Sequence, residues 1–210
     1  MKPRSVGRGP WSVVLPGGNL GNASAFGKAL REMLELGLID RMPRLAVVQA
    51  EGAAPFYDLV QSDDRSQLRA VEHPETLATA IKIGDPVSWP KALREIEATG
   101  GVVEKVTEQE IADAKAVIGR CGIGCEPASA ATLAGIRKLR KSGKIAADAD
   151  VVAVLTGNVL KDPDYIHRYH TGVLEAPGGR KIESTFGNPP ILVGFDTDEI
   201  CSVLGQPNER

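Results

Sequence analysis

The sequence predicts an α/β fold: a parallel sheet covered by helices on both faces, followed by an irregular C-terminal extension. Two observations carry this reading. Strand-like apolar runs alternate along the chain with amphipathic helical segments. The runs also stay apolar at successive positions instead of alternating with polar residues, as strands buried on both faces do.

Each element has its own signal. Trp11 to Leu15 reads as a buried strand, and Ala23 to Leu36 as a helix with Phe26, Leu30, Met33 and Leu34 on one face. Gly37 is its stop. Leu45 to Gln49 is a second strand, followed by a short helix near Ala53 to Leu59 and a polar surface excursion from Gln61 to Glu75. Trp89 to Ala98 is helical, and Gly100-Gly101 ends it before the strand Val102 to Val106. Thr107-Glu108-Gln109-Glu110 is a capping box opening a helix through Ile111, Ala114, Val117 and Ile118. Pro127 to Ser142 is the next helix, stopped by Gly143, and Val151 to Leu155 is an apolar strand ending at Thr156-Gly157. The last fifty or so residues are polar. Within them Ile191 to Phe195 is a candidate strand and Asp198 to Leu204 a candidate helix. No internal repeat is visible.

Composition narrows the function classes. Hydrophobic residues make up 42% and charged residues 25%, enough to build a packed core. Aromatic residues are only 4%, so that core must come from Ala, Val, Ile and Leu. A formal net charge of −2 argues against nucleic acid as partner. The basic run Arg137-Lys138-Leu139-Arg140-Lys141 reads as a solvated helix end. No apolar run approaches the ~20 residues that span a bilayer, so no membrane partner is expected. Three cysteines without C-x-x-C spacing read as thiols in a reducing compartment, and the chain as soluble and cytoplasmic. His167 and His170, three apart, read as surface histidines; a metal would need further ligands.

The segment VVLPGGNLGNASAFGKALREM, residues 13–33, is the chemical focus. Its turn, Gly17 to Asn22, joins a parallel strand to the next helix and so lies at the carboxyl edge of the sheet, where open α/β folds bind ligands. Glycines permit left-handed angles and close approach of an anion, and the N–H groups of a helix's first turn favour phosphate. Asn19 and Asn22 add amide donors, and Asn22 can serve as N-cap. The first basic residue, Lys28, lies more than a turn into the helix. A nucleotide P-loop does not fit, because five residues separate Gly21 from Gly27 and Ala29 follows Lys28. The glycine spacing matches a dinucleotide fingerprint poorly. From the residues alone, a tight turn without ligand stays open beside a phosphate site.

Four blocks occur in series: LPGGNLGNASAFGKALRE, PETLATAIKIGDPVSW, CEPASAATLAGIRKL and VAVLTGNVLKDP. Together, from about Trp11 to Pro163, they resemble the second half of threonine synthase, a fold-type-II enzyme of the tryptophan-synthase-β-like architecture that uses pyridoxal 5'-phosphate. The resemblance implies that Gly18, Asn19, Leu20, Gly21 and Asn22 cradle the cofactor phosphate and that Thr156 meets the pyridine nitrogen. Because Thr156 ends a parallel strand, it should share a sheet edge with the turn. A neutral hydroxyl there leaves the ring nitrogen largely unprotonated and weakens the electron sink. The implied reaction is β,γ-replacement, taking O-phospho-L-homoserine and water to L-threonine and phosphate, with the released phosphate assisting proton transfers. Glu126 to Ala130 reads as a plain helix start with Pro127 in the first turn.

The family's Schiff-base lysine sits in a Ser-x-Lys-Asp context that these 210 residues lack. Lys2 lies in Met-Lys-Pro-Arg, and Lys161-Asp162 matches a non-catalytic family position. No catalytic residue is therefore assigned. The expectation is a C-terminal portion of such an enzyme, inactive alone. Residues 1–10 would be a leader, 11–163 the cofactor-binding domain and 164–210 an extension packing on it. Its partners would be an N-terminal half or complementing chain, with homo-oligomers and self-association through exposed apolar surface also expected. Asn158 stands where relatives commonly carry His, so the resemblance supports no acid–base role at that position. Alternatives are a threonine or serine dehydratase, a cysteine synthase, a non-catalytic phosphate-binding fragment, or a nicotinamide-dependent enzyme.

Overall fold

Four apolar runs pair side by side in a computed structural model that describes residues 12–205. The expected leader and Trp11 lie outside the described residues. The strands are β1 (Ser12–Pro16), β2 (Arg44–Ala50), β3 (Val102–Val106) and β4 (Val151–Ala153). All neighbours are parallel, in the order β3-β2-β1-β4, with Val14 opposite both Ala46 and Ala153.

Successive residues of a strand point to opposite faces, and in β1 and β2 both faces are filled, whereas Val152 of the edge strand β4 is 45% exposed. Val13, Leu15, Leu45, Val47 and Val103 pack with α1 (Gly21–Glu35), α2 (Pro55–Gln61) and α3 (Trp89–Ala98). Val14, Ala46, Val48, Ala50 and Val106 pack with α4 (Glu108–Arg120) and α5 (Pro127–Lys141). The helices approach closely where glycine allows it. A Cβ on Gly27 of α1 would lie 2.4 Å from Glu95 Cβ of α3. Glu95 is itself fully buried, with Arg31 and Arg94 donating to its Oε1 at 2.9 and 3.1 Å.

Helix ends follow the local chemistry. Thr107 and Glu110 form the reciprocal capping box, and Gly37 takes φ of 67° so that the N–H of Leu38 reaches Met33 O at 2.8 Å. The basic end of α5 is less solvated than its composition suggests. Lys138 Nζ donates to Lys105 O at 2.7 Å, and Arg140 donates to the carbonyls of Ala147 and Ala149. Beyond β4, α6 (Pro163–His170) and the chain to Ile182 bury Tyr165, Tyr169, Leu174 and Ile182 against Ala112 and Ala116 of α4. The C-terminal α7 is Thr197–Leu204.

One expected element is absent. Ile191 to Phe195 forms no strand, and Leu192 and Phe195 are fully exposed. Pro189 and Pro190 before it lack the N–H groups a ladder requires, and the Gly194 N–H is taken by Glu199 Oε2.

The topology places a crevice. The chain steps outward from β1 through β2 to β3, then returns through α4 and α5 to β4 on the other side of β1. Crossovers of one hand on a reversed path put the two helix sets on opposite faces, and the crevice opens outside the carboxyl ends of β1 and β4.

Candidate functional site

The turn leaving β1 is pinned from behind. Gly17 N–H donates to Val48 O at 2.7 Å, and Gly17 O accepts from Gln49 Nε2 at 3.2 Å. Gln49 is fully buried; its Oε1 accepts the N–H groups of Phe56 and Tyr57 at 3.0 and 2.9 Å. The second sequence block supplies the side wall. Asn19 Oδ1 accepts from Val87 N–H at 2.8 Å, and Asn19 O accepts from Ser88 N–H at 3.3 Å. A Cβ on Gly18 would stand 2.8 Å from Ala80 O, so only glycine fits between turn and wall.

Two details differ from expectation. The left-handed residue is Leu20, not a glycine: it has φ of 64° and ψ of 7°, occupies the N-cap position of α1 and is buried. Asn22 is the second residue of that helix, not its cap, and is exposed. The cause is burial of the Leu20 side chain between β1, β2 and α1, which holds the backbone in a region leucine ordinarily avoids.

Main-chain donors collect at this point. Among the described residues, no hydrogen bond takes up the N–H groups of Gly18, Asn19, Leu20, Gly21 and Asn22. The first turn of α1 carries no acidic side chain, and a Cβ on Gly21 would meet nothing within 4 Å. These residues line a cavity of about 270 Å³ together with Ala80, Ile81, Glu126, Ala128 and Thr156. The turn and Thr156 therefore share one cavity at the same sheet edge. Open N–H groups at a helix N-terminus accommodate an anion, and a hydroxyl across the cavity accommodates a polar ring atom.

Thr156 stands in a network that sequence reasoning missed. Its Oγ1 donates to Glu126 Oε1 at 2.9 Å and lies 2.8 Å from Ser129 Oγ. Ser129 Oγ accepts the N–H groups of Thr156 and Gly157 at 2.8 and 3.2 Å. Glu126, buried at the head of α5, forms an ion pair through Oε2 with Lys161 Nζ at 2.6 Å, a contact that raises the Lys161 pKa. Gly157 makes room: a Cβ there would fall 2.2 Å from Glu126 Cδ. The available signal was spacing, because Glu126 and Ser129 lie one helical turn apart on the face that meets the end of β4.

Other candidate groups are elsewhere. His170 lines a separate cavity of about 70 Å³ with Lys115 and Tyr165, and its Nδ1 accepts the Asn188 N–H at 3.0 Å. Burial lowers the pKa of His170 and of Lys115, and raises that of the Cys125 thiol. Cys121, Cys125 and Cys201 are unpaired, and among the described residues no group of three His, Cys, Asp or Glu side chains could hold a metal ion. No helix among them is long and apolar enough to cross a membrane.

The family model described as pyridoxal-phosphate dependent enzyme matches residues 4–157, well over half of the chain. The chain belongs to this family of pyridoxal-phosphate-dependent enzymes. It is 46% identical over 158 residues to a threonine synthase of Methanosarcina acetivorans, covering 75% of this chain and 39% of that one. To a threonine synthase of Methanocaldococcus jannaschii it is 43% identical over 156 residues, covering 74% and 38%. The chain thus spans about two fifths of the length of the relatives it matches. Among solved structures, threonine deaminase isoform 2 from Solanum lycopersicum superposes with a TM-score of 0.60 at 18% identity, covering 76% of this chain and 43% of that one. An L-serine ammonia-lyase from Rhizomucor miehei gives 0.58 at 21%, covering 74% and 49%. At such identity these structures establish the fold alone: the α/β architecture of fold-type-II pyridoxal-phosphate enzymes.

Proposed function

We propose that this chain is a threonine-synthase-type chain that holds pyridoxal 5'-phosphate by its two ends. Gly18, Asn19, Leu20, Gly21 and Asn22 take the phosphate, and Thr156 takes the ring nitrogen. The observation carrying this reading is that the turn, whose five N–H groups take part in no hydrogen bond among the described residues, and Thr156 line one cavity. A phosphate ester fits that donor set, because backbone dipoles and the α1 N-terminus stabilise negative charge without a basic side chain. When bound, the cofactor supplies the electron sink for reactions at an amino-acid substrate.

The residues of this chain orient and shield. Gln49 and Asn19 lock the turn to β2 and to the 79–89 segment, so the donors are set before any ligand arrives. Preorganised donors lose little entropy on binding. By its likeness to threonine synthases, the whole enzyme converts O-phospho-L-homoserine and water to L-threonine and phosphate in the cytoplasm. Residues 11–163 then form the cofactor-binding part and 164–210 an extension of it. The chain contributes phosphate and ring-nitrogen contacts and does not turn over alone, because no lysine of the 210 residues stands in the Ser-x-Lys-Asp context.

Titration of the full chain with pyridoxal 5'-phosphate, followed by cofactor absorbance and by amide chemical shifts, tests this. Saturable binding that perturbs the Gly18–Asn22 amides, without phosphate release from O-phosphohomoserine, is expected. Absent binding, or binding that leaves those amides unmoved, overturns the site. Robust phosphate release by the isolated chain overturns the claim of inactivity.

A further inference from the structure

We propose that two copies of this chain pair through the outer edge of β4, antiparallel across a two-fold axis at Ala153, and form a dimer that adds no third copy. The inference stands on the sheet and does not depend on the cofactor reading. It follows from which main-chain groups each edge of the sheet leaves open.

The two edges differ. At β3, side chains take the main-chain groups of the edge: the Lys105 N–H donates to Glu104 Oε1 at 3.1 Å, and the Lys105 carbonyl accepts from Lys138 Nζ at 2.7 Å. Charged residues on an edge strand block its pairing with another chain. At the β4 edge, the run Val151 to Leu155 carries no charge and no proline. The Ser12 N–H donates to Asp150 O at 3.3 Å and the Val154 N–H to Val14 O at 3.0 Å, so the even-numbered residues address β1. Alternation turns the N–H and C=O groups of Val151, Ala153 and Leu155 outward, where no strand among the described residues pairs with them. Val152 lies opposite Val13, on the face that α1 covers, yet its side chain is exposed.

The occupant is a second copy because this edge complements itself. The outward residues are evenly spaced, and the smallest of them, Ala153, is central. With Ala153 opposite its own counterpart, Val151 meets Leu155 of the other copy, and each opposed pair exchanges two main-chain hydrogen bonds. Val152 then stands beside Val154 of the other copy, a cross-strand apolar pair that adds to the contact. Residues 151–155 are all apolar, so antiparallel pairing brings no like charges together. The same patch serves both chains, and such an isologous contact closes at two. The result is one sheet in the order β3-β2-β1-β4-β4-β1-β2-β3, capped at both outer edges by Glu104 and Lys138. Strands of the two copies run in opposite directions, so their two turn-lined cavities open at opposite ends of that sheet.

Sedimentation equilibrium of the full chain at micromolar concentrations is expected to show monomer and dimer with no larger species. Ala153→Pro removes the N–H at the axis, twice by symmetry, without taking a bond from β1. It should raise the dimer dissociation constant by about tenfold or more with an unchanged far-ultraviolet spectrum. Register is read by disulfide capture with the exposed Cys121 and Cys201 replaced by serine. Val152→Cys chains mixed with Val154→Cys chains should crosslink, because opposed Cα atoms in such a pair lie about 4.5 Å apart. Either variant alone should crosslink far more slowly. A monomer at every concentration overturns the inference, and so does open-ended growth past the dimer. A dimer that Ala153→Pro leaves intact, or that captures no mixed disulfide, shows that the copies meet elsewhere and overturns it too. Should Ala153→Pro fail to fold, the mixed disulfide decides. A chain that stays monomeric, and whose Ala153 amide gains protection from hydrogen exchange only when a lysine-bearing N-terminal fragment of a threonine synthase is added, assigns the edge to that partner and overturns self-pairing.

Discussion

Leu20 should reverse the usual order of alanine and glycine. Alanine is ordinarily the more stabilising of the two, because glycine loses more backbone entropy on folding, about 0.4–1 kcal/mol. At Leu20 the backbone is left-handed, with φ of 64°, which costs a residue carrying a Cβ about 1–2 kcal/mol. Both substitutions remove a side chain that is only 3% exposed, a loss of about 2–5 kcal/mol. Leu20→Ala keeps the strain and loses the burial. Leu20→Gly loses the burial and releases the strain, so it should be the more stable of the two by up to about 1 kcal/mol. Urea unfolding followed by circular dichroism reads this directly. With a slope of about 2 kcal/mol per molar, the alanine midpoint should fall by about 1–2.5 M and the glycine midpoint by up to about 0.5 M less. An alanine variant as stable as the glycine variant, or more so, would show that Leu20 is not strained. Midpoints within about 0.3 M of wild type would show that its burial contributes little.

Three further outcomes are expected. Gln49→Leu removes partners from Gly17 O and from the N–H groups of Phe56 and Tyr57, at about 1–3 kcal/mol for each buried group, and should weaken cofactor binding by loosening the turn; unchanged stability and affinity in the same titrations would contradict this. Gly157→Ala forces its Cβ into the Glu126 carboxyl group, so it should cost about 1–3 kcal/mol in urea unfolding; a variant as stable as wild type counts against the packing. Burial raises the Glu108 pKa, opposed by the Thr76 hydroxyl, the Leu77 N–H and Arg180. The folded state therefore holds that proton more tightly than the unfolded chain, and the stabilisation, present below the unfolded carboxylate pKa, is lost as pH rises through the raised value. Unfolding midpoints over a pH series should fall more steeply across that window in wild type than in Glu108→Gln; parallel curves would refute the shift.

What could be read in advance divides along physical lines. The helix Trp89–Ala98 and the strand Val102–Val106 match expectation to the residue. Their ends are set locally, by Pro90 in the first turn and by Gly100 with φ of 56°. The apolar runs of β1 and β2 likewise report burial on both faces, but the run expected from Val151 to Leu155 pairs only over Val151–Ala153 and leaves Val152 exposed at the sheet edge. Leu20 was not legible, because its side chain is buried in a cluster that includes residues of β2 distant in sequence. Glu126 was read as a helix start for the same reason. The Thr156 hydroxyl that gives it meaning lies thirty residues further on, and only the pairing of β4 with β1 brings it to the cavity occupied by the turn. Ile191 to Phe195 failed in the opposite sense: its residues favour a strand, but a strand is a pair, and no partner is offered among the described residues.

The two ends of the cavity solve opposite electrostatic problems with different means. At the turn, negative charge would be met by dipoles: main-chain N–H groups do not titrate, so the protein's side of that contact is the same at any pH where it is folded. At the other end a carboxylate, a hydroxyl and a lysine form a chain of groups that polarise one another, and its influence depends on each being present. A turn of the first kind can be built from glycines and asparagines within a few residues. A relay of the second kind needs a helix start, a strand end and a following turn brought together, which is why it sits where the sheet reverses direction. Its lysine offsets the carboxylate charge of Glu126.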